Sequence, residues 1–403
     1  MENVLLYLTM IAVVLLIGLL ISILSSKLKI SNMLLLIIVG IIAGSITHKG
    51  SSLFQFPPVF IVSIATLALV MIVFDGSSRM KLKELGEMSY RALEVTGLYL
   101  VLSLIIVGAI TLFLFFSESI TSNSIILSLI FAFLMIGTDP ASIFIMFKDK
   151  TNKLLEFLKV EAIINTPVVV LFPFILIELV KGTTTISLLS QIGPFLQQIV
   201  TGIGTGIVVG LIIFKVMKKT YSQEYSPIAI LTATLITYAI AEQLNGNGIL
   251  AVATLGLLFG NTYVKNKFLL TEFSSTLSTS LEILVFVLIG TVTKLPWSDV
   301  LFFAKALIIF AILLICRYFA LHITFKEKYD KRQLIFMTLN MSKGIAVATA
   351  ILTISFVVTP GMTTLVNLTL VTIIYSLITS TLATLIGKDS LKFEEEKEVE
   401  ETK

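Results

Sequence analysis

Residues 131–147 read FAFLMIGTDPASIFIMF, an apolar run that is interrupted by Gly137-Thr138-Asp139-Pro140. Proline has no amide hydrogen and disfavours helical backbone angles in the residue before it, so a helix through this run is predicted to unwind near Asp139. Within a lipid bilayer, irregular backbone is tolerated only against protein or a water-filled cavity. If the chain is a membrane protein, this run places a carboxylate beside freed main-chain carbonyls in its interior.

The composition of the whole chain supports a membrane location. The 403 residues are 56% hydrophobic and 13% charged, with a mean hydropathy of +1.02. Typical soluble domains are about 45–50% apolar and about 25% charged, and a soluble fold must keep part of its surface wet. The single cysteine, Cys316, and the two histidines, His48 and His322, argue against a disulfide framework or a metal centre rich in these residues. We therefore predict an integral membrane protein in contact with lipid.

Long apolar stretches recur along the chain. A membrane-spanning helix needs about 20 predominantly apolar residues. On this criterion we predict an all-α integral membrane fold with about thirteen transmembrane helices. The predicted spans are 3–25, 28–46, 58–76, 92–116, 124–147, 154–180, 189–214, 226–243, 248–264, 276–293, 299–322, 333–357 and 362–386.

The basic residues of the loops indicate an orientation. They are concentrated in alternate loops, beginning with the one after span 1, whereas the opposite loops hold only Lys49, Lys181 and Lys294. Because cytoplasmic loops carry the excess of Lys and Arg, we predict a multi-pass protein of the plasma membrane with its N-terminus outside and its C-terminus in the cytoplasm. Since the basic residues are spread over these short loops, no nucleic-acid partner is expected. Residues 1–387 form the predicted transmembrane domain, and residues 388–403 a short charged cytoplasmic tail with no soluble domain.

A second apolar run is interrupted in the same way. Residues 336–352 read FMTLNMSKGIAVATAIL, and residues 340–344 of this run include Asn340, Ser342 and Lys343. The two interrupted spans, 5 and 12, are seven apart, as two six-span halves joined by a linking helix would give. Interrupted helices at equivalent places in two halves point to the binding site of a transporter. The alternative is a proline kink in one span and a polar packing contact in the other.

Span 6 carries a carboxylate within the predicted membrane region. Residues 158–172 read LKVEAIINTPVVVLF, in which Glu161 and Asn165 are four apart and share a helix face. A charge at this depth costs about 2.5–3.5 kcal/mol on insertion scales, so Glu161 needs a cation. We prefer Lys343 as its partner, with Arg317 as the alternative. Arg317 could also be a second partner beside Lys343. The pair is either a structural ion pair or one that carries protons.

Four short motifs occur along the chain in a fixed order. They are Thr138-Asp139-Pro140, Glu161 with Asn165-Thr166, GILAVATLGLLFGN at 248–261, and MSKGIAV at 341–347. Together they resemble the NhaP/NHE-like sodium/proton exchanger branch of the monovalent cation:proton antiporter superfamily, over nearly the whole chain. The resemblance implies two inverted repeats, a dimerisation domain, and a core with two crossed broken helices, here spans 5 and 12. It also implies exchange of Na⁺, Li⁺ or K⁺ for H⁺.

A homodimer is expected from the same resemblance. Gly202, Gly206 and Gly210 in span 7 have the four-residue spacing that allows close helix contact. That contact lies either within one protomer or between two protomers.

Two positions depart from the pattern of the family. Where the family has Asn-Asp, and its aspartate binds proton and cation in competition, this chain has Asn165-Thr166. Threonine offers a hydroxyl for coordination but does not titrate. Lys343 stands where the family has arginine, which keeps the positive charge and loses the bidentate fork. A cation transporter of the same fold without proton coupling is therefore the alternative function.

The interruptions and the resemblance together indicate a site for a monovalent cation. Hard cations take oxygen ligands, and the carboxylate that binds H⁺ or cation in turn is expected to be Asp139, with Glu161 as second choice. The other expected oxygen ligands are Thr138, Thr166, the unwound carbonyls and Asn165. We predict a secondary active transporter that works by alternating access, with the transported cation and H⁺ as its ligands.

Other classes of function are weaker alternatives. A non-transporting membrane sensor is one of them, and it is supported by Thr166 in place of the aspartate of the family. An enzyme is not expected, because the chain has no His or Cys cluster, no Ser/His arrangement and no Gly-rich phosphate loop. No cofactor is expected beside the transported ions.

Overall fold

The computed structural model describes residues 2–28, 30–48, 51–52, 56–79, 86–118, 120–139, 153–180, 188–219, 225–326 and 328–386. Pro140 and the rest of predicted span 5 lie outside these described residues, as does the predicted cytoplasmic tail, 388–403.

The described residues are almost entirely helical. A π-helical turn, Ser103–Val107, continues α4 into α5, and two-residue strands, Thr47–His48 and Ser51–Ser52, pair antiparallel. The prediction of an all-α fold is therefore confirmed. The helices are α1 Glu2–Leu28, α2 Asn32–Ser45, α3 Pro58–Ser78, α4 Gly86–Leu102, α5 Gly108–Phe115, α6 Ser122–Leu134, α7 Lys153–Val180, α8 Leu188–Lys219, α9 Tyr225–Gln243, α10 Gly248–Asn261, α11 Lys267–Val292, α12 Val300–Phe325, α13 Lys331–Leu339, α14 Ile345–Ile354 and α15 Met362–Ile386.

Eight helical segments within the described part of the chain are long and apolar enough to cross a bilayer. Further apolar helices, among them α6 and α14, have only 10–17 residues. The fold is therefore that of a multi-pass membrane protein, while the count of about thirteen spans stays a prediction. The eight segments are Tyr7–Leu28, Val59–Ser78, Tyr90–Phe115, Leu196–Met217, Tyr225–Gln243, Lys267–Val292, Val300–Phe325 and Met362–Ile386.

The chain divides into two compact units, of which one consists of Phe56–Glu87 and Lys181–Val285. In this unit α8 packs closely on α10 and on the turn before it. A Cβ atom on Gly202 would lie 2.7 Å from the carbonyl oxygen of Asn247, and one on Gly206 would collide with that of Ala251. The spaced glycines therefore serve packing within the protomer.

The other unit consists of Met1–Gln55, Met88–Val180 and Phe286–Lys403. Aromatic contacts fix helix α7 of this unit against two neighbours. Phe172 stacks on Phe133 of α6 with ring centroids 4.5 Å apart, and Phe157 meets Phe325 of α12 edge-on at 4.9 Å. Because Glu161 lies one turn beyond Phe157, these contacts position its carboxylate in the interior of the unit.

Candidate functional site

The two interrupted runs unwind and meet in the interior of the second unit. Helix α6 ends at Leu134, and residues 137–139 are not helical; α13 ends at Leu339, and the helix resumes only at Ile345. The amide of Asp139 donates to the carbonyl oxygen of Ser342 at 2.7 Å, and the Ser342 hydroxyl donates to the carbonyl oxygen of Asp139. Backbone groups in the two non-helical segments lack partners within a helix. The two segments therefore bond to each other.

The Asp139 carboxylate lies against the beginning of α14. Gly344 is the N-cap of that helix and has no side chain to cap it, and a Cβ atom there would collide with Asp139 Oδ2. The first amides of a helix have no intrahelical acceptors and favour negative charge nearby. Glycine at this position thus allows a carboxylate to approach the positive end of a helix.

Gly344→Ala is expected to destabilise the protein by about 1–3 kcal/mol, the usual cost of forcing an extra group into a packed interior. The added methyl group would displace the Asp139 carboxylate from the start of α14. Thermal unfolding of the purified variant measures the effect. The matched control is Gly97→Ala in α4, where a Cβ atom would meet nothing within 4 Å. Equal melting temperatures for the two variants would show that the carboxylate moves aside freely.

Asn165 of α7 holds the unwound end of α6. Its Nδ2 donates to Thr138 Oγ1 at 2.8 Å and to the carbonyl oxygen of Ile136 at 3.3 Å, while its Oδ1 accepts from the Thr138 amide at 3.4 Å. One side-chain amide thus replaces hydrogen bonds that a continuous helix would have made. The Thr166 hydroxyl instead donates to the carbonyl oxygen of Ala162 in its own helix at 2.7 Å. The structure therefore joins Asn165, and not Thr166, directly to Thr138.

Glu161 pairs with Arg317 of α12. The guanidinium donates to both carboxylate oxygens, at 2.6 and 2.8 Å, and the two side chains are 1% and 0% exposed. The Arg317 Nε also donates to the carbonyl oxygen of Met337 at 3.3 Å, near the end of α13. The preferred pairing of Glu161 with Lys343 was therefore wrong, and the alternative partner is the one observed. A planar guanidinium matches both oxygens of a carboxylate, which an ammonium group does not.

Lys343 is fully buried and lies at the end of α6. Its Nζ donates to the carbonyl oxygen of Met135, which also accepts from the Tyr99 hydroxyl at 3.2 Å. The last carbonyls of a helix have no intrahelical donors and favour positive charge. The two interrupted helices are therefore complemented reciprocally, by Lys343 at the carboxyl end of α6 and by Asp139 at the amino end of α14.

Several residues of the site were not found from the sequence. The Tyr99 ring lies 5.7 Å from Lys343 Nζ and 5.9 Å from the Arg317 guanidinium carbon. Nothing in the local sequence around Tyr99 indicates these contacts. A second group lies on α15. Its hydroxyl residues recur every fourth residue of an apolar helix, and this spacing is a sequence pattern that could have pointed to them. This group is Ser376, Ser380 and Thr384, which contact the interruption between α13 and α14.

The arrangement is typical of one class of membrane protein. Interrupted helices that meet inside a set of membrane-spanning helices, with ionisable and hydroxyl groups at the junction, are typical of secondary transporters. The chain belongs to the sodium/hydrogen exchanger transmembrane family, which matches residues 11–387. The resemblance that the four motifs indicated is thereby confirmed. This is a family of antiporters and not of enzymes.

Individual relatives have low sequence identity to the chain. The chain is 26% identical over 250 residues to the K(+)/H(+) antiporter NhaP2 of Shewanella baltica, covering 61% of this chain and 42% of that protein. It is 24% identical over 294 residues to the K(+)/H(+) antiporter NhaP of Alkalimonas amylolytica, covering 72% and 50%. It is 24% identical over 270 residues to the Na(+)/H(+) antiporter ApNhaP of Aphanothece halophytica, covering 64% and 49%. The chain thus spans about half the length of the curated relatives it matches.

The fold is shared with a solved structure. The sodium proton antiporter MjNhaP1 of Methanocaldococcus jannaschii, at pH 8, superposes with a TM-score of 0.78 and 18% identity, covering 96% of this chain and 97% of that one. At this identity the likeness shows the fold alone. It agrees with the helical membrane architecture described above.

Proposed function

We propose that the protein is a secondary active transporter that exchanges a monovalent cation, Na⁺, Li⁺ or K⁺, for H⁺ by alternating access. The observation that carries the proposal is the meeting of two helix interruptions beside Asp139, in a chain of the sodium/hydrogen exchanger family. We further propose that it works as a homodimer in the plasma membrane, with its N-terminus outside and its C-terminus in the cytoplasm. We also propose that the fold has about thirteen spans, inverted repeats and two crossed broken helices.

The proposed cation ligands are the oxygen atoms around the junction. Asp139 supplies a carboxylate, Thr138 and Thr166 supply hydroxyls, and Asn165 and the unwound carbonyls complete the set. Both carboxylate oxygens of Glu161 are engaged by Arg317, whereas the Asp139 side chain is not fully buried. Asp139 is therefore the group that takes H⁺ and cation in turn, and Glu161 keeps a structural role. No cofactor is needed for this exchange.

Proteoliposomes with a pH-sensitive dye in the lumen test the proposal. Addition of Na⁺, Li⁺ or K⁺ outside is expected to drive H⁺ out of the lumen for at least one of the three ions. Cation flux without any proton movement would instead support a same-fold transporter without proton coupling. Thr166, in place of the titratable aspartate of the family, favours that second candidate. If neither cation nor proton moves, the proposal fails, and a non-transporting sensor is the remaining candidate.

Thr166→Val is expected to weaken the apparent cation affinity while preserving the fold. Loss of one oxygen ligand costs about 1 kcal/mol, which corresponds to an increase of about fivefold in the half-saturating cation concentration. Thr234→Val in α9 is the matched control, because its hydroxyl makes the same bond within its helix, also at 2.7 Å. An affinity unchanged in Thr166→Val would remove Thr166 from the ligand set.

Thr166→Asp restores the family's Asn-Asp pair and adds a second titratable group to the site. More protons are therefore expected to move per cation in Thr166→Asp than in the native protein. The dye assay with a known cation load measures this ratio. A ratio equal to that of the native protein would mean that position 166 has no part in proton coupling.

A further inference from the structure

The non-helical segment between α13 and α14 lies in the protein interior, where its backbone needs partners. Asn340 and Ser342 are 2% and 0% exposed, so water does not serve most of the polar atoms of this segment. A buried backbone group without a partner costs free energy comparable to a lost hydrogen bond. On one side, Asp139 supplies the bonds to Ser342 already described. The partners on the other side come from α15.

Helix α15 faces the segment with a row of hydroxyls. Ser376, Ser380 and Thr384 are spaced by four residues, which places them on one helix face. The Ser376 hydroxyl accepts from the Lys343 amide at 2.9 Å and donates within its own helix to the carbonyl oxygen of Ile373 at 2.7 Å. The Ser376 hydroxyl therefore supplies a hydrogen-bond acceptor just before the first turn of α14. The N-cap residue of that helix, Gly344, has no side chain that could supply one.

The other two hydroxyls hold the beginning of the segment. Ser380 Oγ donates to Asn340 Oδ1 at 3.0 Å. Thr384 Oγ1 lies at the same distance from Asn340 Oδ1 and shares its one hydrogen between that oxygen and the carbonyl oxygen of Ser380 in its own helix. The Nδ2 of the same Asn340 donates to the carbonyl oxygen of Phe336 in the last turn of α13, at 2.8 Å. Asn340 thus connects the end of α13 to α15. Both ends of the segment are fixed by α15, and its middle is fixed by Asp139.

A neighbouring hydroxyl on the same helix shows that this connection is specific. Thr372 lies one turn before Ser376 and is also fully buried. Its hydroxyl donates to the carbonyl oxygen of Leu368 at 2.8 Å, within α15. Ser and Thr in apolar helices usually satisfy themselves in this way. Ser376 and Thr384 make bonds of this kind as well, but they differ from Thr372 because they, like Ser380, bond to the interruption.

We propose that Ser376, Ser380 and Thr384, together with Asn340, are positioning residues for the candidate cation site. They hold residues 340–344 at the place where Ser342 and the start of α14 meet Asp139. They do not themselves bind the ion. The effect on transport rests on the proposed function, whereas the effect on the backbone of residues 340–344 does not.

The test compares variants that remove a hydroxyl with variants that keep it. Ser376→Ala leaves the Lys343 amide without its acceptor, whereas Ser376→Thr retains a hydroxyl at this place. The double variant Ser380→Ala/Thr384→Val removes both donors to Asn340. Thr372→Val is the matched control, since its hydroxyl bonds only within α15.

Two measurements are made on each full-length variant. Cation-driven proton exchange in proteoliposomes gives the half-saturating cation concentration separately from the maximal rate. Hydrogen–deuterium exchange reports whether the amides of residues 340–344 open more often. For Ser376→Ala and for the double variant we expect the half-saturating concentration to rise about fivefold, as for one lost hydrogen bond, and these amides to exchange faster. Ser376→Thr and Thr372→Val should resemble the native protein in both measurements.

The outcomes separate this inference from the proposed function. If the native protein exchanges ions, and both hydroxyl-removing variants keep native affinity and native amide exchange, the positioning role is wrong. It is also wrong if Thr372→Val or Ser376→Thr is as damaging as Ser376→Ala, because packing alone would then explain the losses. If the native protein moves no cation, the proposed function fails. Amide exchange of residues 340–344 then decides the positioning role by itself.

Discussion

Asp139→Asn is expected to reduce cation-driven proton exchange to the level of liposomes without protein. The amide has nearly the shape of the carboxylate, so the variant should fold, but it carries no charge and cannot release a proton. If Asp139 binds H⁺ and cation in turn, the variant loses both the binding of the proton and the binding of the cation. The measurement is dye-reported exchange in proteoliposomes, made alongside thermal unfolding of the same preparation.

A matched control is Asp330→Asn. Asp330 accepts from the Gln333 amide at 2.8 Å as the N-cap of α13, and asparagine caps helices equally well. This variant removes one carboxylate from the same unit and should exchange ions as the native protein does.

The position of Asp139 at the start of α14 suggests a competing, structural role for this carboxylate, which predicts a different result for Asp139→Asn. If the carboxylate only complements the positive end of that helix, its removal costs about 0.3–1 kcal/mol, and up to about 2 kcal/mol in a partly buried site. Asp139→Asn would then melt at a lower temperature and still exchange cations for protons. That result would contradict the assignment of Asp139 as the exchanging group.

The interruptions of the helices were predictable because their signals are local. A proline beside Asp139 and a polar group at residues 340–344 disturb otherwise apolar runs, and lipid leaves such residues few places except the interior. The same interruptions explain why spans 5 and 12 are not among the eight long apolar helical segments found in the described residues. Helices α6, α13 and α14 are 13, 9 and 10 residues long, although they belong to longer apolar runs.

The partner of Glu161 was not predictable from the same signals. Arg317 and Lys343 are both buried cations in apolar runs, and the choice between them depends on the rotation of α12 about its axis and on the path of the non-helical segment 340–344. Hydropathy determines neither of the two. The chemical argument that guanidinium binds a carboxylate bidentately would have favoured Arg317.

The hydroxyls of α15 illustrate a second limit of prediction from the sequence. In an apolar helix, Ser and Thr can bond to their own backbone, so each residue alone looks neutral. Only the tertiary contact with the Lys343 amide distinguishes Ser376 from Thr372. Tyr99 is a similar case, since its hydroxyl and ring contact residues far away in sequence, at Met135 and Lys343.

Glu161→Gln is expected to destabilise the protein by about 3–5 kcal/mol, the usual cost of breaking a buried ion pair by removing one partner. Arg317 would be left buried without its carboxylate, and Lys343 lies close to the same Tyr99 ring. Thermal unfolding in detergent measures the change. The double variant Glu161→Gln/Arg317→Met should recover much of the loss, because it removes both buried charges together.

Arg317→Met is expected to be the milder of the two single changes. It leaves Glu161 buried, but the ammonium group of Lys343 is the cation that can turn toward it, since both cations approach the face of Tyr99 within 6 Å. In Glu161→Gln no other carboxylate is known to take the place of Glu161, and two positive groups are left near the Tyr99 ring. The order of melting temperatures is therefore native, Arg317→Met, then Glu161→Gln. If Glu161→Gln melts at the native temperature, the pair contributes nothing to stability, and the hypothesis that Glu161 carries protons regains priority over a structural role.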